Sequence, residues 1–257
     1  MGRVYLIGAG PGDPDLLTVK AARLLSRACI VFHDSLVSRE VLRLIAPSAE
    51  IVDVGKRCGK KLLTQDEINA LLVAAAGTRE IVIRLKGGDP LIFGRAGEEI
   101  EALRRAGIDF EIVPGITAAL GAAAAAGVSL TDRRAASQIV FATFSRDPEN
   151  SAMDWSSITS TTTLALYMPG PDYSEVARRL LDAGLPNDLP CVIVSNATTP
   201  QQQVRWSALS RLSHEAKLPA PALLIIGRVA AQKVQEIRAH FWRGETRQHE
   251  RAPQIVS

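Results

Sequence analysis

The chain has 257 residues, of which 47% are hydrophobic, 22% charged and 5% aromatic, and its formal net charge is +3. This balance is typical of a globular protein long enough to bury a core, and so small a charge does not by itself predict binding to nucleic acid or membranes. The low aromatic content argues against a protein that stacks many bases.

Short apolar runs alternate with helix-length segments in the first half of the chain. Runs at 4–7, 28–32, 51–54, 80–85 and 110–113 predict five strands. Helices are predicted over 16–26, from a capping box at Thr64 and Glu67 to Ala76, and over 98–105. Strands separated by helices favour a mostly parallel sheet covered on both faces, with ligands bound beyond the carboxyl ends of the strands.

Strands follow one another more closely in the second half, which predicts a mixed sheet. The candidate strands lie at 138–143, 163–168, 191–195, 203–206 and 222–227, and helices are predicted over 172–183, near Leu209 and over 229–241. The expected fold class is therefore α/β, with two α/β domains. We expect an N-terminal domain over 1–114, a C-terminal domain over 115–241 and a polar, disordered tail over 242–257.

Two glycine-containing loops follow predicted strands. The loop over 8–14 does not match a dinucleotide fingerprint, because Asp13 stands where GxGxxG needs a glycine. It is either a tight strand–helix turn or a rigid rim against a ligand, and we favour the rim. The loop over 86–95 places two glycines and Asp89 after a buried strand, which favours a ligand loop over a structural turn.

A third loop begins at Pro114 and contains Thr117, which either caps the next helix or donates a hydrogen bond to a ligand. We favour the cap. The loops that begin at Gly8, Phe32, Lys86 and Pro114 all follow strands and can open onto one edge of the sheet. The four histidines are scattered and no pair has ligand spacing, so we expect no metal site.

Together these segments resemble the tetrapyrrole methylase family. The matching stretches run in family order: 8–18, Asp34 with 36–38, 54–57, 65–69, 84–95, 97–99, 113–118, 130–131 with Arg133, 167–168, 196–198 and 221–227. RNA and diphthine methylases share the fold, but the segment over 84–95 resembles the tetrapyrrole branch. The resemblance implies a homodimer of two-domain chains, with S-adenosylmethionine bound in the cleft between the domains as the methyl donor. It also implies an acidic tetrapyrrole, uroporphyrinogen III, as the acceptor of two methyl groups, giving precorrin-2.

The resemblance also assigns roles to individual residues. It implies that S-adenosylmethionine contacts Pro11, Gly87, Gly88, Asp89, Ile92, Thr117, Ala118, Met168, Ala197 and Ala222. The residues expected to face the acceptor are Asp34, Arg95, Glu98, Arg133 and Met168, of which Asp34, Arg95 and Glu98 are the expected catalytic residues.

The chemistry agrees with these roles. Arg95 and Arg133 carry planar guanidinium groups that bind carboxylates with two hydrogen bonds. We expect Arg95 to anchor carboxylates rather than act as a base, because a guanidinium is almost never deprotonated. Transfer from an activated sulfonium, which leaves S-adenosylhomocysteine, depends on positioning and needs no strong protein nucleophile.

Four departures from the family pattern lie on the acceptor side. Ser35 stands in place of an arginine, an alanine near Ala125 in place of a tyrosine and Asp132 in place of a histidine, and the usual Thr-Gly-His is altered at 142–145. These changes leave open a methyltransferase for a later precorrin or another modified tetrapyrrole. A cofactor- or tetrapyrrole-binding protein with little activity is a third hypothesis, and the downstream pathway (sirohaem, cobalamin or haem d1) stays open.

No segment of the sequence resembles a secretory signal or a membrane span, so we expect a cytoplasmic protein without nucleic-acid or membrane partners. Cys29, Cys58 and Cys191 are far apart and lack CxxC spacing, which predicts core residues or free thiols in a reducing compartment. The family motifs begin near the first residue, so we expect no fused dehydrogenase-chelatase module.

Overall fold

The computed structural model describes residues 2–55, 63–144, 153–170 and 172–231, which fall into two compact units. The first unit is Met1–Ala122 together with Asn196–Gln202, and the second is Ala123–Ser195 together with Gln203–Ser257. The division thus falls inside a helix over Ala118–Ala126 rather than at the predicted 114/115 boundary. The predicted tail over 242–257 and most of the predicted helix over 229–241 lie outside the described residues.

The first unit contains a fully parallel five-stranded sheet, as the alternation of strands and helices predicts. Its strands are β1 (Arg3–Gly8), β2 (Ile30–His33), β3 (Glu50–Asp53), β4 (Ile81–Lys86) and β5 (Phe110–Val113), in the order β3-β2-β4-β1-β5. Because all five run in the same direction, their carboxyl ends and the loops that follow lie along one edge.

Helices cover both faces of this sheet. They are α1 (Val19–Leu25), α2 (Arg39–Leu42), α3 (Gln65–Thr78) and α4 (Ala96–Arg105). The side chains of a strand alternate between faces, so β4 directs Val82 into the core formed with α3 and α4, and Ile83 into the core formed with α1 and α2. Arg84 and Lys86 follow the spacing of Val82, which directs two charged side chains towards α3 and α4.

Local capping explains where these helices begin. The predicted capping box of α3 is present: the Thr64 side chain accepts from the Glu67 backbone N–H, and the Glu67 carboxylate accepts from the Thr64 N–H. The predicted helix over 16–26 is instead a 3-10 turn over Pro14–Leu16 followed by α1, because Thr18 caps α1 through the backbone N–H of Ala21. The short α2, capped by Ser38, had no clear periodic signal.

Gly77→Ala is expected to raise the free energy of unfolding by roughly 0.5–1 kcal/mol, because glycine within a helix costs about that much relative to alanine. Gly77 lies inside α3, and an added Cβ would meet no atom within 4 Å. Denaturant unfolding of the variant and of the wild-type chain measures the difference. A loss of stability would contradict the helical placement of Gly77.

The second unit contains a mixed five-stranded sheet, as the closer spacing of its strands predicts. Its strands are β6 (Gln138–Thr143), β7 (Thr162–Tyr167), β8 (Pro190–Ser195), β9 (Gln203–Ala208) and β10 (Ala222–Ile226), in the order β6-β7-β10-β8-β9. Only β6 and β7 pair in parallel. The helix over Ala118–Ala126 is α5, and α6 (Ser174–Asp182) packs on this sheet with a 3-10 segment over Leu209–His214, where a helix was predicted.

Cys191 lies fully buried in β8, and burial raises the pKa of its thiol far above the ordinary value. Cys29 is partly exposed, and both thiols are free; Cys58 lies outside the described residues. Within the described ranges, no helix is both long enough and apolar enough to cross a membrane.

Candidate functional site

The loops that follow β1, β4 and β5 meet at the carboxyl edge of the parallel sheet. The loop after β1 and the loop after β4 are joined by two backbone hydrogen bonds: Gly10 N donates to Gly88 O at 3.1 Å, and Gly88 N donates to Gly10 O at 2.8 Å. Ala9 N also donates to Lys86 O at 2.7 Å. The edge is therefore built from backbone groups of loops far apart in sequence.

The glycines in these loops let the loops pack against one another. A Cβ on Gly8 would lie 2.6 Å from both the Cα of Gly115 and the carbonyl oxygen of Gly88, which is closer than real contacts allow. Gly12 packs in the same way against Thr199, and Gly121 against Pro11. The sequence favours a close approach of the backbone to a ligand in the 8–14 and 86–95 loops. At Gly8 and at Gly115, however, the packing of one loop against another is by itself sufficient to require a glycine.

Asp89 holds two of these loops together. Its Oδ1 accepts a hydrogen bond from Leu91 N at 2.8 Å, and its Oδ2 accepts one from Gly115 N at 3.0 Å. The backbone carbonyl of Asp89 accepts from Ile92 N at 3.3 Å. Each carboxylate oxygen has a second lone pair, so Asp89 can fix the loops and still accept a bond from a ligand.

Gly88 has a left-handed backbone, with φ of 69°, and faces the start of α5. A Cβ on Gly88 would lie 3.5 Å from Ala118 N and 3.7 Å from the Cα of Thr117, so Gly88 lies directly beside the start of α5. Thr117 directly precedes α5, and its carbonyl accepts from the backbone N–H groups of Leu120 and Gly121. Thr117 therefore occupies the position at which the helix begins, as predicted for a cap.

The segment Asn196–Gln202 belongs to the first unit, which the sequence did not predict. The Thr198 hydroxyl accepts a hydrogen bond from Asp13 N at 3.2 Å, and the position of a Cβ on Gly12 is 3.5 Å from the carbonyl oxygen of Ala197. The structure thus places Ala197 beside the 8–14 loop, as expected if both contact the same ligand.

In the second unit, Met168 and Ala222 lie at the same end of the mixed sheet. Met168 directly follows Tyr167, which pairs with Leu223, and Ala222 begins β10. Met168 has a positive φ of 49° and a 60% exposed side chain. A non-glycine residue in the left-handed region is uncommon and is concentrated at functional sites, a signal that the sequence does not carry.

Arg95 and Glu98, both predicted to face the acceptor, form an ion pair at the start of α4. Arg95 Nε donates to Glu98 Oε1 at 2.8 Å and an Nη donates to Oε2 at 2.7 Å. The pair lowers the pKa of Glu98 and raises the pKa of Arg95. Both side chains are about half exposed, so an incoming carboxylate can reach the Arg95 guanidinium but must share it with Glu98.

A buried ion cluster beneath this edge was not predicted. Glu99 on α4 is fully buried and accepts hydrogen bonds from Arg84 Nε at 2.8 Å and from Lys86 Nζ at 2.9 and 3.0 Å. Arg84 also pairs with Asp34, one of the predicted catalytic residues. The available signal was the presence of two charged residues at alternate positions in an otherwise apolar strand.

The negative charge of Asp132, which departs from the family pattern, is balanced by the neighbouring Arg134. Arg134 donates to both carboxylate oxygens of Asp132, at 3.0 and 2.6 Å, and this pairing lowers the pKa of Asp132. The neighbouring Arg133 is exposed, and its guanidinium forms no ion pair with any other described residue. The positive charge predicted to attract an acidic ring is therefore retained at Arg133.

No group of three or more His, Cys, Asp or Glu side chains among the described residues is arranged to hold a metal ion. The family match at 54–57 extends into the undescribed 56–62 stretch, and the altered 142–145 segment ends at undescribed Ser145.

The sequence matches one family of known proteins along most of its length. The sequence profile of the Tetrapyrrole (Corrin/Porphyrin) Methylases matches residues 3–213. The chain belongs to this family. A Uroporphyrinogen-III C-methyltransferase of Paracoccus denitrificans is 47% identical over 253 residues, which cover 95% of this chain and 88% of the relative. Siroheme synthase 1 of Klebsiella pneumoniae is 45% identical over 230 residues, but the chain spans about half (49%) of that relative's length.

Solved structures of tetrapyrrole methylases share the fold. A Uroporphyrin-III C-methyl transferase from Thermus thermophilus, complexed with S-adenyl homocysteine, has a TM-score of 0.78 and 38% identity and covers 90% of this chain and 99% of its own. A cobalt precorrin-4 methyltransferase is 29% identical, with a TM-score of 0.77, and covers 88% of this chain and 94% of its own. The family thus includes methyltransferases that act on different tetrapyrroles.

Proposed function

We propose that this chain transfers methyl groups from S-adenosylmethionine to ring carbons of uroporphyrinogen III, giving precorrin-2 in two successive transfers. The observation that carries the proposal is the 47% identity to the Paracoccus enzyme over 95% of this chain. S-adenosylhomocysteine is the expected second product. We further propose that the chain acts as a homodimer in the cytoplasm and supplies sirohaem or cobalamin biosynthesis.

The donor is proposed to bind at the loops around Gly88. S-adenosylmethionine carries a carboxylate, an ammonium group, ribose hydroxyls and an adenine ring, and supplies an activated methyl group when bound. The backbone groups of Gly87 and Gly88, the Asp89 carboxylate and the Thr117 hydroxyl are suitable partners for these groups, and Gly88 lies beside the start of α5. The family resemblance adds Pro11, Ile92, Ala118, Met168, Ala197 and Ala222 to the proposed set.

The acceptor is proposed to bind against Arg95 and Arg133. The ring's carboxylates would form bidentate hydrogen bonds with these guanidinium groups. Leu91 and Phe93, on the loop before Arg95, and Leu36, beside Gly87, are exposed apolar side chains suited to contact the ring itself. Asp34 and Glu98 complete the proposed acceptor side.

Gly88→Ala is expected to weaken S-adenosylhomocysteine binding by about 5- to 150-fold, the equivalent of about 1–3 kcal/mol of steric misfit. The added methyl group would lie beside Thr117 and Ala118, where the donor is proposed to bind, and the left-handed backbone of Gly88 also disfavours a side chain. Isothermal titration calorimetry measures the affinity. Gly107→Ala is the matched control, because Gly107 shares the left-handed backbone, with φ of 67°, and its Cβ would meet no atom within 4 Å. Equal affinities of the two variants would argue against a donor site at Gly88.

Turnover with different acceptors tests the proposed function. The chain is incubated anaerobically with S-adenosylmethionine and either uroporphyrinogen III or a later precorrin, and the product masses are measured. Two added methyl groups on uroporphyrinogen III support the proposal. Turnover with the later precorrin alone would support the second hypothesis, which Ser35 and the structural likeness to a precorrin-4 methyltransferase favour. Binding without any turnover would support a binding protein.

A further inference from the structure

Arg84 connects two carboxylates that lie on different elements of the first unit. Its guanidinium donates to Glu99 on α4 at 2.8 Å and to Asp34, which follows β2. Its Nη1 also donates to the backbone carbonyls of Phe32 at 3.4 Å and Leu85 at 3.3 Å. Arg84 is only 2% exposed, so these contacts hold its side chain in one orientation.

The charges of the cluster balance only when Asp34 is included. Glu99 is shared by two buried cations, Arg84 and Lys86, which leaves one positive charge in excess. Burial by itself lowers the pKa of Arg84, but the charges of Asp34 and Glu99 outweigh burial and raise it. Burial and the like charge of Arg84 lower the pKa of Lys86. Lys86 thus shares the Glu99 carboxylate with Arg84, whereas Arg84 also pairs with Asp34.

Asp34 is the only member of the cluster that is partly accessible. Its side chain is 28% exposed, whereas those of Arg84, Lys86 and Glu99 are at most 3% exposed. Without Arg84, the Asp34 side chain would be free to rotate into solvent. With Arg84, one carboxylate oxygen is fixed by a buried and already oriented guanidinium.

We propose that Arg84 is a positioning residue that holds the Asp34 carboxylate in place for methyl transfer. The inference rests on the proposed function. In the transfer, a ring carbon forms a bond to the methyl carbon with its own electron pair, and the C–S electrons stay on sulfur. The positive charge passes from sulfur to the ring, and transfer of a ring proton to solvent water then removes it. An ionised carboxylate fixed beside the ring stabilises that charge.

Two variants separate positioning from stability. Arg84→Met and Lys86→Met each remove one of the two cations that contact Glu99, and each leaves the other cation paired with Glu99. Only Arg84→Met releases Asp34. We expect Arg84→Met to lower kcat about 100-fold, the effect of misplacing a reacting group by about 1 Å, with the KM for S-adenosylmethionine changed by less than about twofold. Lys86→Met is expected to lose a similar amount of thermal stability but much less kcat.

Arg84→Lys provides a second test if Arg84→Met does not fold. A lysine keeps the buried charge but has no fork to bind Glu99 and Asp34 together, so kcat is expected to fall while the chain stays folded. In an Asp34→Asn background, replacing Arg84 is expected to have little further effect on kcat. An undiminished kcat in Arg84→Lys, equal losses in Arg84→Met and Lys86→Met, or additive losses with Asp34→Asn would overturn the inference. An inactive wild-type chain would instead refute the proposed function.

Discussion

Glu99→Gln is expected to lower the free energy of unfolding by about 3–5 kcal/mol, the usual cost of removing one partner from a buried ion pair. Glu99 is fully buried and is the carboxylate that Arg84 and Lys86 share. A neutral amide would leave the two cations close together, with only Asp34 to balance them. Urea unfolding, followed by circular dichroism, measures the change.

Glu101→Gln is the matched control on the same helix. Glu101 pairs with Arg105 at 2.6 Å, but both side chains are more than 70% exposed, and such surface pairs contribute only about 0–1 kcal/mol. If Glu99→Gln were no more destabilising than Glu101→Gln, the buried cluster would not hold α4 to β4 as described.

Arg95→Ala is expected to lower kcat/KM for the tetrapyrrole by roughly 10- to 100-fold. That range corresponds to the loss of about 1.5–3 kcal/mol from hydrogen bonds to a charged group. Donor binding is expected to be unchanged, because Arg95 is half exposed and lies beyond the glycine loop, at the start of α4. Steady-state kinetics and calorimetry with S-adenosylhomocysteine measure the two effects separately.

Arg105→Ala serves as the control for this variant, since it removes an exposed arginine from the other end of α4. It is expected to leave both measurements unchanged. A loss of donor binding in Arg95→Ala, with tetrapyrrole binding intact, would refute the role of Arg95 as a carboxylate anchor.

Local patterns in the sequence were sufficient to predict most of the secondary structure. The buried strand β4 appears as an apolar run interrupted by Arg84, and the capping box at Thr64 and Glu67 marks the start of α3. The strand–helix alternation predicts a parallel sheet, and the closer strand spacing of the second half predicts a mixed one. These features depend on residues near one another in the chain, where periodicity and capping determine the outcome.

Long-range contacts account for what the sequence did not predict. The ion cluster joins Asp34, Arg84 and Glu99 from three separate elements, and no local pattern indicates that they meet. The association of Asn196–Gln202 with the first unit depends on packing of the same kind, as does the contact of Gly8 with Gly115. A glycine that packs against another loop has the same sequence signature as one that faces a ligand.

The Asp132 departure shows why the charge of one residue is a weak guide to specificity. An aspartate in place of a histidine suggests weaker attraction for an acidic ring, yet Arg134 neutralises Asp132 and leaves Arg133 exposed. The sequence contains Arg134, but only the folded turn shows that Arg134 pairs with Asp132 at 2.6 Å.

Carbon methylation of uroporphyrinogen III is tested by finding where the methyl groups are attached. The chain is incubated anaerobically with uroporphyrinogen III and S-adenosylmethionine labelled with carbon-13 in the methyl group, and the product is analysed by NMR. We expect two labelled methyl groups, both bonded to ring carbons. Labelled methyl esters on the carboxylates, or no label in the tetrapyrrole, would contradict it.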